Sequence, residues 1–180
     1  MRPELDGVKT TSAWGIALSL WLLPTPSTLG AELTFAQSSS LPPEVHQAFS
    51  NGDLGKKYVF SARLNPFFIQ GDFDGDGHLD TAVLIESRSS SKTGIVVVHT
   101  ARKQVFILGA GTAVAGSNGN DSFDWMDAWH AYAKRVVERG AGERKPPDLR
   151  GDALHVEKTE SASAIIYWDG SGYRWFQQGD

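Results

Sequence analysis

The chain contains no cysteine. That excludes a disulfide framework, a thiolate metal site, a cysteine nucleophile and a lipid anchor carried on cysteine. A surplus of one charge is lacking too: 17 Lys and Arg against 21 Asp and Glu leave a formal net charge of -4, with the basic residues scattered. Nucleic acid is therefore not expected as a partner, because gripping a phosphate backbone takes clustered cations. No His-Glu-x-x-His, no Gly-x-Ser-x-Gly and no phosphate loop ending in Gly-Lys-Ser/Thr occurs, and His46, His78, His99, His130 and His155 are dispersed. Gly109-Ala110-Gly111 lacks the third glycine and the following helix of a dinucleotide loop. No segment repeats at the spacing of a solenoid or propeller.

What is present begins with an unusual front end. Arg2 and Lys9 precede the apolar run Ala13 to Leu23, which Pro24, Pro26 and small residues follow. This is the order of a secretory signal, and the run is about half the roughly 20 residues of a membrane-spanning helix. Cleavage is expected after Ala31 or Ala36, so residues 1–36 read as a signal peptide and 37–180 as one exported domain without a membrane span. The expected location is periplasmic or extracellular. With 41% apolar and 21% charged residues, such a domain can bury a core.

Along the domain, Pro42 to Asn51 carries helix start and stop signals around Val45, Ala48 and Phe49. Tyr58 to Leu64 and Phe67 to Ile69 read as extended. Thr81 to Glu86, Gly94 to Thr100 and Lys103 to Leu108 follow as strands whose short linkers predict an antiparallel meander. Gly109 to Asp121 reads as a loop. Trp125, Trp129, Tyr132 and Val136 recur at helical spacing behind Asp124 as an N-cap, which predicts an amphipathic helix over Asp124 to Val137, ended by Gly140-Ala141-Gly142. The tail predicts strands at Ala153 to Lys158, Ala162 to Trp168 and Tyr173 to Gln177, the last two joined by the hairpin turn Asp169-Gly170-Ser171-Gly172. The expected class is α+β: one antiparallel meander of about five to seven strands, the long helix across a face and the short one at an edge.

The chemistry-bearing segment is Gly71-Asp72-Phe73-Asp74-Gly75-Asp76-Gly77-His78-Leu79-Asp80. Four carboxylates this close repel one another, and a hard dication removes the repulsion. Calcium takes six to eight oxygens, which alternate carboxylates of a tight loop can offer. Asp72, Asp74, Asp76 and Asp80 are the candidate side-chain ligands, and His78 supplies a backbone carbonyl. Counting from Asp72, the twelfth position is Val83, where an EF-hand has its bidentate glutamate, and a strand follows where an EF-hand has a helix. The pattern Asp-x-Asp-Gly-Asp-Gly-x-x-Asp followed by a strand resembles the calcium loop of FG-GAP and VCBS-type repeats, over Gly71 to Leu84. The resemblance implies the same ligand set. Those families repeat the motif in every blade of a propeller, whereas one copy occurs here, so the loop reads as a module set into another small fold.

A second signal is aromatic. Tyr167, Trp168, Tyr173, Trp175 and Phe176 crowd the terminal hairpin. Such rings grip sugars or partner chains, or else pack against the helix as core; strand alternation would leave some of them facing solvent. The leading expectation is a calcium-stabilised exported binding domain whose partner is a protein or glycan. A periplasmic enzyme inhibitor or immunity-type protein presenting Gly109 to Asp121 is the alternative, and a hydrolase ranks third.

Overall fold

The computed structural model describes residues 33–140 and 145–179. The basic and apolar part of the expected signal, and most of the Gly140-Ala141-Gly142 terminator, lie outside the described residues.

Among the described residues three short helices come first: α1 (Phe35–Ser39), α2 (Pro43–Ser50) and α3 (Leu54–Lys57). Nine strands follow: β1 (Tyr58–Phe60), β2 (Phe68–Gly71), β3 (Asp80–Ser87), β4 (Thr93–His99), β5 (Gln104–Gly109), β6 (Ala128–Tyr132), β7 (Ala153–Lys158), β8 (Ala162–Trp168) and β9 (Tyr173–Gly179). They form two antiparallel sheets. Sheet 1 has the path β1-β3-β4-β5 with β2 also paired to β3, and sheet 2 the path β6-β7-β8-β9. The expected single meander of five to seven strands is thus two sheets: sheet 2 is a meander of consecutive strands, and in sheet 1 β3-β4-β5 is one, with β1 and β2 both paired to β3.

Side-chain alternation explains the layers. In sheet 1, Ala82, Leu84, Ile95, Val97 and Leu108 turn inward and meet Leu154, Val156, Ala164, Ile166 and Trp168 of sheet 2 in one core. Val83, Ile85, Val96 and Val98 turn the other way, onto Val45 of α2 and Leu41. All of β3 and β4 is therefore buried, which is why both read as continuous rather than alternating apolar runs. α2 lies where its proline start and apolar stripe predict, with Val45 fully buried. Sheet 2 has its own outer cluster of Ala153, Ile165 and Phe176, covered by Tyr132, Val137 and Leu149.

The amphipathic helix expected over Asp124 to Val137 does not form. Residues Ala128–Tyr132 make β6, paired with β7 from Ala128↔Glu157 to Tyr132↔Ala153. In a strand, positions 129 and 132 fall on opposite faces: Trp129 enters the inter-sheet core and Tyr132 the outer cluster. Both rings are buried this way, and aromatic residues suit a pleated sheet. Val136, placed on the helix's apolar face by its spacing, is 90% exposed. The acids expected at the helix start have other work: Asp124 Oδ1 accepts the Thr93 N–H at 3.1 Å, and Asp127 Oδ1 accepts the Thr159 N–H at 2.8 Å.

Candidate metal centre

The acidic loop is the turn between β2 and β3, whose last pair is Gly71↔Asp80. Its shape comes from carboxylates accepting nearby backbone N–H groups, the local chemistry by which aspartate makes turns. Asp72 Oδ1 accepts from Gly75 (2.8 Å) and Asp76 (3.0 Å), and Oδ2 from Gly77 (3.0 Å). Asp74 Oδ1 accepts from Asp76 at 3.1 Å, and Asp76 Oδ1 from His78 at 3.0 Å. Asp80 reaches furthest: Oδ2 takes the N–H groups of Phe73 (3.1 Å) and Asp74 (3.3 Å), and Oδ1 that of Thr100 (3.0 Å), at the β4–β5 turn.

Phe73, between two acids in sequence, is fully buried in the inter-sheet core. The loop is also stitched to the start of β7 in sheet 2. Asp152 N–H donates to Asp72 O at 2.7 Å, and Asp152 Oδ2 accepts the Asp72 N–H at 3.1 Å. The second oxygen of Asp152 takes the Lys134 N–H at 2.9 Å. The approach is so close that a Cβ on Gly75 would lie 2.6 Å from the Arg150 carbonyl oxygen, and its φ of +77° is itself unfavourable for other residues. The loop therefore spans the joint between the sheets.

Among the described residues, two groups of side chains converge closely enough to hold a metal ion: Asp72, Asp74 and Asp76, and Asp74, Asp80 and His99, with ligand atoms within 4.8 Å of one another in each. Asp74 belongs to both, and its side chain is 0% exposed. Its Oδ2 lies 2.9 Å from Arg102 Nε and 3.2 Å from His99 Nδ1, yet neither contact has hydrogen-bond geometry, so both Oδ2 and Nδ1 are buried without a hydrogen-bond partner. On its other side His99 Nε2 meets the Tyr173 hydroxyl at 2.8 Å. Arg102, half-exposed at the rim, also lies 3.7 Å from Asp76 Oδ2.

The electrostatics follow from burial and crowding. Burial, with the Asp74 and Asp76 charges, pushes the Asp80 carboxyl up to about 6 against the pull of its backbone donors. Burial lowers His99, opposed by the Asp74 charge. Burial, then Asp80 and Asp74, holds Tyr173 well above the usual phenol range. The Tyr173 hydroxyl and His99 Nε2 share one hydrogen bond, and His99 Nδ1 faces Asp74 Oδ2 from the other side of the ring. Asp76 is lowered, chiefly by the His78 N–H.

Of the residues singled out in sequence, Asp72, Asp74, Asp76 and Asp80 come together, while His78 is exposed with Nδ1 3.2 Å from Asp76 Oδ1. The hairpin rings separate. Trp168 and Tyr173 are buried in the inter-sheet core, Phe176 in the outer cluster, and only Tyr167 and Trp175 are half-exposed. Asp152, His99, Arg102 and Tyr173 were not legible as parts of this site. Phe73 carried a signal, since an apolar ring inside an acidic loop has to be buried somewhere.

Comparison with known protein families, curated proteins and solved structures finds no match for this chain.

Proposed function

We propose that the chain is an exported binding domain stabilised by calcium, held by the carboxylates of Asp72, Asp74 and Asp76 with Asp80 and the His78 carbonyl completing the set. The observation that carries this reading is Asp74 Oδ2, a fully buried carboxylate oxygen without a hydrogen-bond partner, faced by Arg102 and His99 in a residue that clusters with the Asp72, Asp76 and Asp80 carboxylates. A buried anion left so is costly, and a hard cation among oxygen donors relieves the cost. The resemblance of the loop to FG-GAP and VCBS-type calcium loops supports the choice of ion.

Bound there, calcium would neutralise the carboxylates of a loop whose backbone joins the two sheets. The residues themselves do the shaping: Asp72 and Asp80 fold the loop, Phe73 anchors it and Asp152 holds it to sheet 2. That is a staple's arrangement. The order of residues 1–36 supports export, and a protein or glycan remains the partner class of this reading, with Tyr167 and Trp175 as the hairpin rings within a partner's reach. The inhibitor alternative would present residues 109–121, which are anchored by buried Ala110 and Val114 and by the Ala115 carbonyl accepting the Trp175 N–H at 2.8 Å, with Gly111 to Ala113, Gly116, Asn118 and Gly119 exposed.

The test is thermal melting of the purified domain in chelator, calcium, magnesium and zinc. Calcium at a hundredfold excess over its dissociation constant should add about 2.7 kcal/mol of stability. Asp76→Asn should abolish most of that gain. Identical melts in calcium and chelator would sink the reading, and a response to zinc alone would move the metal to Asp74, Asp80 and His99.

A further inference from the structure

At the opposite end of β3 from the acidic loop lies a cleft of about 360 Å³ with a different character. Its charged lining residues are Lys56, Lys57 and Arg88, with hydroxyls of Ser89, Ser90 and Thr112, and no carboxylate lines it. On a chain of net charge -4, this is a local reversal of sign. Lys56 is already paired, to Asp53 at 3.0 Å, but both groups are well exposed and such a pair is weak. Lys57 has no ion pair among the described residues.

Arg88 is the fixed element. Its N–H donates to the Lys57 carbonyl at 2.8 Å and its Nε to the Gly55 carbonyl at 3.2 Å. The Nε bond, made at the surface, ties the guanidinium to the α3 backbone, while its two terminal nitrogens make no hydrogen bond or ion pair among the described residues. A pre-oriented guanidinium beside ammonium groups and hydroxyl donors is the recognition chemistry of a tetrahedral oxyanion. A smaller cleft of about 230 Å³ shares Tyr58 and Arg88 and continues over the apolar side chains of Phe49, Val59 and Phe60.

We infer that the Lys56–Lys57–Arg88 cleft binds a phosphate- or sulfate-type oxyanion, with the adjoining apolar cleft open to an organic group that carries it. The site is separate from the metal centre and does not depend on it. An amide chemical-shift titration of the isotope-labelled domain tests it, with inorganic phosphate in one arm and phenyl phosphate in the other, at constant ionic strength against chloride. Shifts should concentrate at residues 56–58, 87–90 and 110–112. Saturation by phosphate alone identifies the free ion as sufficient, and at least fivefold tighter binding of phenyl phosphate identifies an ester seated over Phe49 and Phe60. Both Arg88→Gln and Lys57→Gln should weaken binding about tenfold while keeping a dispersed, folded spectrum, and Lys145→Gln, in another basic stretch, should leave it unchanged. The inference is overturned if neither probe shifts these amides, or if both cleft variants bind as the parent does.

Discussion

Two turns of this molecule are built by aspartate, and they differ in what the carboxylates have left to do. In the β8–β9 hairpin, Asp169 alone suffices. Its Oδ1 accepts the N–H groups of Ser171 (2.7 Å) and Gly172 (2.9 Å), and Oδ2 pairs with Arg174 Nε at 2.5 Å. In the β2–β3 loop, Asp72 performs the same task with three N–H groups and Asp80 with three more, yet Asp74 and Asp76 still bring further carboxylates to the same place. Each of these two gives one oxygen to a backbone N–H and leaves the other facing Arg102, outside the turn's own hydrogen bonds. Their surplus charge, and the burial of Asp74, separate a loop that suits a ligand from a loop that only reverses the chain.

The comparison can be broken by removing the organising aspartates one at a time. In chelator, Asp80→Ala leaves three backbone donors in and beside the core without an acceptor, and should cost about 3 kcal/mol or more by urea denaturation. A cost near that of Asp169→Asn in the β8–β9 hairpin would show that the loop's cohesion lies elsewhere. Arg102→Gln sharpens the same contrast from the cation side. On the proposed calcium reading the guanidinium would compete with the ion for Asp74 and Asp76, so its loss should raise calcium affinity about five- to tenfold in titration calorimetry. Unchanged affinity would mean that Arg102 swings clear at no cost.

The smallest effect belongs to the hairpin. Asp169→Asn should cost about 1 kcal/mol at neutral pH. The side-chain bond from Arg174 and the Ser171 and Gly172 N–H groups hold the Asp169 carboxyl well below the usual carboxylate range. Its contribution is therefore complete above the unfolded value of about 3.9 and fades as pH falls through the lower folded one. Melting curves of parent and variant should converge in strong acid. A gap that stays constant with pH would show that the charge of Asp169 contributes nothing.

Local chemistry was readable in the sequence wherever local chemistry decides the structure. The Asp-Gly loop, the Asp169 to Gly172 turn, the proline-led α2 and the β3-β4-β5 meander all lie where their residues place them. The segment from Asp124 to Val137 was not readable, because its spacing fits a helix while its burial is decided by β7, which arrives over twenty residues later in the chain. The same limit hid half of the site. His99 and Arg102 lie beyond β4, Asp152 at the start of β7 and Tyr173 on β9, and only the packing of one sheet on the other brings them to Asp74.

The sequential order of the strands has a consequence for how the chain acquires its structure. Sheet 1 closes from strands β1 to β5 and sheet 2 from β6 to β9, so strand pairing within each is local and requires little loop closure. The long-range step is the docking of the two halves, with Phe73 seated and Asp72 bonded to Asp152. Closing the joint takes the Asp74 carboxylate out of water, so the charge of the loop weighs on that same step.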